Sequence, residues 1–478
     1  MSKALGTTLI SLGFALVLGG CSRPTTEPSN RNATSPQPAA PAASPSRMTE
    51  AEAVPITLPV LDALFADESF TSELKSKLQL SDEQIARLRK TAGDEVLRLR
   101  EKNTEAHAGS TEEARTRAVD LIRTVIGAEK AKQLADLARE HWNKGSEAVE
   151  ANKSKITDPS MSSGPNAVPP DTRIVVNAPA FRMDVFENGA LVKSYKIGIG
   201  YPEFPLPTGL RKAQTIIFNP TWTPPDSPWV ESMKDVTPGE TVAAGSALNP
   251  LGPIKIPIGM PSLIHGGKPQ SKIGTFASHG CVGLTNAQVR DFAKLLARAG
   301  GTDLSDKTIA AYAKNKSKTG VVKLERPVPV ELRYETIVVE DGRLHIYRDV
   351  YDHNTNTEEN LRAVLQAHGR NLEDLSPDER AQAMDALDAM SPHSNKKAKT
   401  TALPANANAS LAASPAVPAS EDNKNALDQT RKKPVKNQKE IVLELAALKG
   451  KGYPAPANLD TRTAKPKPAP SPNVPGHQ

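Results

Sequence analysis

Cys281 stands in the run Ala277-Ser278-His279-Gly280-Cys281-Val282-Gly283-Leu284, with one histidine two residues before it and another upstream in Ile264-His265-Gly266-Gly267. A thiol attacks a carbonyl carbon as thiolate, and an imidazole beside it supplies both a base and a stabilising charge. Glycine next to the sulfur lets a carbonyl substrate approach the backbone, where main-chain N–H groups can receive the oxyanion. Residue types and spacing therefore point to acyl transfer at a Cys–His site. Two other chemistries fit less well. His265, His279 and Cys281 as metal ligands would have a long first spacing and no fourth ligand. Ser278 as nucleophile would lack the Gly-x-Ser-x-Gly elbow. The alternative without chemistry is a small buried cysteine.

These residues need strands to hold them. Ile174-Val175-Val176 reads as a strand, and Met183 and Val185 alternate with polar neighbours up to Asn188-Gly189, whose tolerance of positive φ suits a tight hairpin. Leu191 to Ile199 is the return strand, and Ile216 to Phe218 another. The prolines of Asn219-Pro220-Thr221-Trp222-Thr223-Pro224-Pro225 cannot donate to a ladder, so the chain leaves the sheet there. Trp222 and Trp229 beside that loop are candidate exposed walls of a groove for a peptide or sugar, with packing under the loop as the alternative. Gly266, Gly267 and Asn286 are further candidates for the groove. Thr285-Asn286-Ala287 caps a helix with the face Val289, Phe292, Leu295 and Leu296. From Pro327 to Tyr351 the alternation of Val330, Leu332 and Tyr334, with a turn at Asp341-Gly342, predicts a further hairpin.

His-Gly followed about a dozen residues later by Ser-His-Gly-Cys resembles the signature of the L,D-transpeptidase (YkuD) family of bacterial cell-wall enzymes. The resemblance extends over about 172–351 through Gly198-Ile199-Gly200, Pro205-Leu206-Pro207-Thr208-Gly209 and Val330-Glu331-Leu332-Arg333-Tyr334. It implies a mainly β catalytic domain, a sandwich or barrel-like pair of sheets with a flanking helix. It makes Cys281 the nucleophile and His265 the general base, with Ser278, His279 and Gly280 shaping the turn and the oxyanion site. His279, offset from the family's base position, is then structural. The substrates implied are peptidoglycan stem peptides, cut after the L-centre of the third residue through a thioester, and no metal or organic cofactor is required. One position departs: Gly283 stands where the family usually carries arginine. Two rival functions remain, an L,D-carboxypeptidase that resolves the thioester with water and a wall-binding lipoprotein whose site has decayed.

The composition sets the frame. Of 478 residues, 41 are proline and only 4% aromatic, so much of the chain cannot bury a core. The net charge of +6, with both signs interspersed, suits an anionic envelope and is no nucleic-acid footprint. Lys3, the apolar run Leu9 to Leu18 and then Leu18-Gly19-Gly20-Cys21 resemble a lipoprotein signal, over 1–20, with lipid on Cys21 and Ser22 favouring the outer membrane. Cys21 so used leaves Cys281 without a disulfide partner. Residues 21–54 read as a Pro/Ala/Ser-rich tether. Over 55–155, Ser81-Asp82-Glu83-Gln84 and Thr111-Glu112-Glu113 open helices, and a third carries Leu134, Leu137 and Trp142. Leu78-Gln79-Leu80-Ser81 onward resembles the repeat of small periplasmic proteins of the Spy/CpxP kind, and a solvated helical spacer is the alternative. The expected order is completed by a catalytic domain over 172–326, a hairpin extension over 327–352, short charged helices over 355–390 and a low-complexity, disordered tail over 391–478. A short helix over 440–448 is the one expected element of that tail.

Overall fold

The computed structural model describes residues 56–65, 67–102, 110–147, 164–224, 230, 234–259, 262–392, 438–450 and 452–459. The signal-like segment, the tether with Cys21 and Ser22, Trp229 and most of the tail lie outside the described residues. Among the described residues no helix is long and apolar enough to cross a membrane.

Five helices come first: α1 (Leu58–Leu64), α2 (Glu68–Ser76), α3 (Asp82–Lys102), α4 (Thr111–Ile126) and α5 (Ala128–Glu147). Their starts are fixed by side chains that take up orphan N–H groups. Thr57 Oγ1 accepts from Val60 N, Asp67 from Ser69 N and Ser110 Oγ from Glu113 N, while Ser81 and Gln84 cap each other's main chain. Ile85, Leu88 and Ala92 of α3 meet Ala118 and Ile122 of α4 and Leu134 and Leu137 of α5 around Leu58, Leu61, Phe70 and Leu74. Helices α1 and α2 escape a periodicity reading because seven and nine residues hold barely two turns.

The next ten strands are β1 (Arg173–Asn177), β2 (Arg182–Glu187), β3 (Ala190–Lys196), β4 (Ile199–Gly200), β5 (Gly209–Phe218), β6 (Ile254–Pro257), β7 (Leu263–His265), β8 (Phe276–Ser278), β9 (Val282–Gly283) and β10 (Gly320–Arg333). Eight of them form one sheet in the order β3-β2-β1-β10-β5-β6-β7-β9, and β4 pairs with β8. Within the large sheet β1/β10 and β7/β9 are parallel, and the other pairs are antiparallel. The hairpin at Asn188-Gly189 has the positive φ its residues suggested, 51° and 81°. Helix α6 (Asn286–Ala299), opened by a Thr285–Gln288 capping box, lays Val289, Phe292, Ala293 and Leu296 on a core with Ile256, Ile264 and Val282. A further helix, α7 (Asp306–Lys314), adds Ile309 to that core.

Two expectations change at the C-terminal side. Residues 327–333 are not an arm of a separate hairpin. They are the second half of β10, which lies between β1 and β5 and carries an irregularity between Lys323 and Val328, where Pro327 cannot donate to the ladder. The hairpin proper is β11 (Ile337–Glu340) and β12 (Arg343–Tyr347), turned at Asp341-Gly342. Helices α8 (Glu358–Ala367) and α9 (Pro377–Met390) fall where the charged helices were expected.

The segment expected as a short helix over 440–448 is instead strand β13 (Glu440–Glu444), paired antiparallel with β12 and followed by a 3-10 turn over Ala446–Leu448. Ile441, Leu443 and Leu445 alternate with period two, and Leu443 sits opposite Leu344. The pairing partner lies far upstream, so local composition could not reveal it. Leu445 and Leu448 are buried with Leu361, Leu365 and Leu387 in a separate small core. Leu445→Ala is therefore expected to cost about 2–4 kcal/mol, read as a lower urea midpoint; a solvated tail would leave the midpoint unchanged.

Candidate active site

Register places the two key residues on neighbouring strands. In the β6–β7–β9 ladder Ile256, Ile264 and Val282 form one row directed into the core, and Lys255, His265 and Gly283 form the next. Because strand side chains alternate, Ile264 facing the core under α6 turns His265 to the opposite face. Cys281 immediately precedes Val282, so the thiol enters beside the strand that carries the imidazole. Leu284 N donates to His265 O at 2.8 Å and locks the pairing.

His265 is 4% exposed. Its Nδ1 lies 2.7 Å from Gly266 O, and a carbonyl only accepts, so Nδ1 carries the hydrogen and Nε2 keeps its lone pair. Burial, with help from the nearby Lys268 charge, pushes the imidazole down to about 3 against the pull of the Gly266 and Leu251 carbonyls. It is therefore neutral at physiological pH and shaped as a base. Burial also pushes the half-buried Cys281 thiol up, opposed by the Leu263 main chain and by Lys268. At rest the site holds a neutral thiol and a neutral imidazole.

The turn before the thiol is tied at every residue. Ser278 Oγ accepts from Cys281 N at 3.0 Å and donates to Cys281 O at 2.5 Å, and Ser262 Oγ donates to Gly280 O at 2.8 Å. Tyr201 N donates to Ser278 O at 2.9 Å. Gly280 has φ 87°, which explains glycine there. Of the main-chain donors expected around an oxyanion, the Cys281 N–H is thus already engaged by Ser278. His279 is exposed, its ring edge-on to Phe204 at 4.5 Å and near Tyr201. The Tyr201–Phe204 loop is held from behind by the helical region, where Thr57 Oγ1 donates to Glu203 O and Thr111 Oγ1 to Pro202 O. No signal in the sequence linked these helices to the site.

The groove candidates fare differently. Trp222 is not exposed: at 9% it packs with Val230, Val236 and Leu251, and its main chain bridges Val242, so it supports the loop from within. Proline-rich loops need such an apolar filling because they have no ladder of their own. Gly266 has no room for a side chain, since a methyl group there would lie 2.8 Å from Val289 Cγ1. Gly267 N donates to Asn286 Oδ1 at 2.8 Å, so Asn286 clamps the His265 turn to the start of α6. Gly283, the position that departs from the resemblance, is covered by the stem of Lys268, a residue the sequence reading passed over.

A strand-rich domain that carries a thiol and a buried neutral imidazole on adjacent parallel strands is the class these features define. Residues 171–326, about a third of the chain, match the model of the YkuD family, the L,D-transpeptidase catalytic domain. Solved structures with similarity include the catalytic domain of an L,D-transpeptidase from Enterococcus faecium, at 16% identity over 34% of this chain and 98% of that one, TM-score 0.22. A mutant of the Enterococcus faecium L,D-transpeptidase matches at 15% over 34% and 50%, TM-score 0.22. An L,D-transpeptidase from Mycobacterium smegmatis matches at 15% over 34% and 58%, TM-score 0.20. The chain thus spans about half the length of the Enterococcus faecium mutant. No curated protein matches the chain.

The geometry gives two expected outcomes. Unfolded, His265 binds a proton below its ordinary value near 6.5, whereas folded it does so only near 3. Between these values the unfolded chain holds more protons, so this residue's contribution to stability is complete above pH 6.5 and falls as pH drops toward 3. Urea midpoints at pH 4.5 and 7.5 should accordingly differ less in His265→Gln than in the wild type. Ser278→Ala frees both ends of the nucleophile turn and is expected to slow thiol-dependent turnover roughly 10–100-fold by misplacing the sulfur, in a steady-state assay, with the fold retained by circular dichroism.

Proposed function

We propose that this chain is a cysteine-dependent L,D-transpeptidase acting on peptidoglycan stem peptides. The observation that supports the reading is that Cys281 leads into the strand that adjoins the one ending in a buried, neutral His265, within a segment that matches the catalytic-domain family model. Cys281 is the nucleophile and His265 the general base. His265 Nε2 takes the thiol proton as sulfur attacks the carbonyl carbon of the bond after the third stem residue. The C–N bond then breaks, the leaving D-alanine amine takes that proton, and a thioester remains. An acceptor amine attacks the thioester, its proton passing through His265 back to sulfur, and the new amide is a cross-link or an attachment to another molecule.

The Gly280 N–H is the donor best suited to the oxyanion, since Cys281 N–H is engaged by Ser278. The burial that keeps His265 uncharged suits a base, because an imidazolium has no free lone pair with which to accept a proton. We further infer a lipid anchor on Cys21, carrying the catalytic segment on its tether into the periplasm, with the outer membrane favoured by Ser22; the lipobox-like run Leu18-Gly19-Gly20-Cys21 supports this.

Incubation of the purified chain with disaccharide-tetrapeptide tests the activity by mass spectrometry. A dimer mass is expected. Loss of D-alanine alone would assign hydrolysis instead, and no product would leave a wall-binding protein. Cys281→Ala is expected to abolish every product; persistence of product in that variant would remove Cys281 from the mechanism.

A further inference from the structure

Lys268 occupies the space that Gly283 leaves open. A methyl group at position 283 would lie 2.8 Å from Lys268 Cγ, 3.1 Å from Cε and 3.4 Å from Cδ, so the whole stem crosses this glycine. Gly283 is two residues beyond Cys281 and pairs directly with His265. The lysine main chain is fixed by its N–H bond to Leu284 O at 3.1 Å. A flexible side chain is thereby held over the strand that follows Cys281 and pairs with the His265 strand.

The ammonium is half-buried, and among the described residues no carboxylate pairs with it. Burial pulls it below the usual lysine range, Cys281 pulls it back up, and Lys272 adds a like charge. A partly desolvated cation without an anion is unfavourable until an anion forms beside it. The one anion this site can generate is the Cys281 thiolate. His265 cannot serve as its counter-charge at rest, because buried imidazole stays neutral to about pH 3.

We propose that Lys268, seated over Gly283, is the counter-ion of the Cys281 thiolate, in the place an imidazolium would otherwise fill. When the thiol ionises, the S–H bond breaks, its electron pair stays on sulfur and the proton passes to solvent. The ionisable groups carried by the elements around the thiol are His265 on β7, Lys268 on the turn after it, and His279 with Tyr201 beside the turn that precedes Cys281. Lys272 and Lys255 stand one step further out, Lys272 acting on Lys268 and Lys255 opposite His265. The carboxylate on the adjoining Tyr201–Phe204 loop, Glu203, acts on Arg98 of the helical region, and the charge that acts on the sulfur is that of Lys268. Glycine at 283 is required because any side chain there would displace the lysine stem.

The inference rests on Cys281 as the reactive group, yet its test reads the sulfur without peptidoglycan. The rate of iodoacetamide alkylation of Cys281 in the full chain is followed against pH; sulfur displaces iodide, so the rate tracks the thiolate. Lys268→Met is expected to move the midpoint to higher pH and to slow alkylation at pH 7.5 roughly tenfold, while Lys268→Arg keeps most of the wild-type rate. Gly283→Ala keeps the charge but displaces the stem, so it should move the midpoint the same way and add nothing in a Lys268→Ala background. An unchanged profile in Lys268→Met, or a midpoint that moves with His265→Gln and not with Lys268→Met, overturns the assignment. Acyl transfer could fail in every assay without altering these outcomes.

Discussion

Two residue pairs of parallel strand, Ile264 with Val282 and His265 with Gly283, carry the whole site. Parallel pairing sets Gly283 opposite His265 and so leaves Cys281 level with Leu263, two residues back along the same ladder, with no reversing hairpin between the two strands. The connection is then free to wander through the 268–280 region, with its own short strand β8 pinned to β4. Glycines at 266, 267, 280 and 283 are the condition for this closeness, each at a point where main chain, helix or lysine stem leaves no room for a side chain or where φ is positive. The Ile256–Ile264–Val282 row underneath supplies the rigidity: it is fully enclosed against α6, and any slip of register by one residue would exchange a core isoleucine for the histidine.

Burial has opposite meanings for the two partners. For His265 it removes charge and yields a base that remains unprotonated far into the acid range; for Cys281 it opposes ionisation. These two groups alone are an unprotonated imidazole and a thiol that resists ionisation. The surrounding polar groups lean the other way: the Leu263 main chain and the Lys268 charge both favour thiolate, and Ser278 holds the cysteine main chain from both sides. Burial is the stronger of these opposing influences, so the thiol stays protonated at rest.

Much of this was legible in the chain. Strand alternation at Met183 and Val185, the Asn188-Gly189 turn and the Thr285 cap depend on neighbours within a few residues, and each appears where its local chemistry put it. The Cys281 and His265 run was visible for the same reason. What escaped depends on distant partners. Strand β13 needs β12 to show that Ile441, Leu443 and Leu445 are a strand, and a Lys- and Ala-rich setting hid them. Trp222 beside prolines suggested exposure, but Val230, Val236 and Leu251 converge on it from separate parts of the loop. The importance of Lys268 follows only from the closure of β7 on β9, which turns a missing side chain at 283 into a berth for another residue's.

Strand β10 sets how the molecule can be dissected. Its fourteen residues run from Gly320 to Arg333, and β1 registers with its last part, Val330 to Arg333. A fragment ended at 326, where the family match stops, would orphan that edge of β1 and expose Ile174 and Val176 to solvent. It would also discard Tyr351, whose hydroxyl donates to Gly200 O, and a fragment begun at 171 would lose the Thr57 and Thr111 supports of the Tyr201–Phe204 loop. The contacts that brace the matched segment consequently reach beyond it on both sides, from Thr57 before the first described helix to Tyr351 after β12.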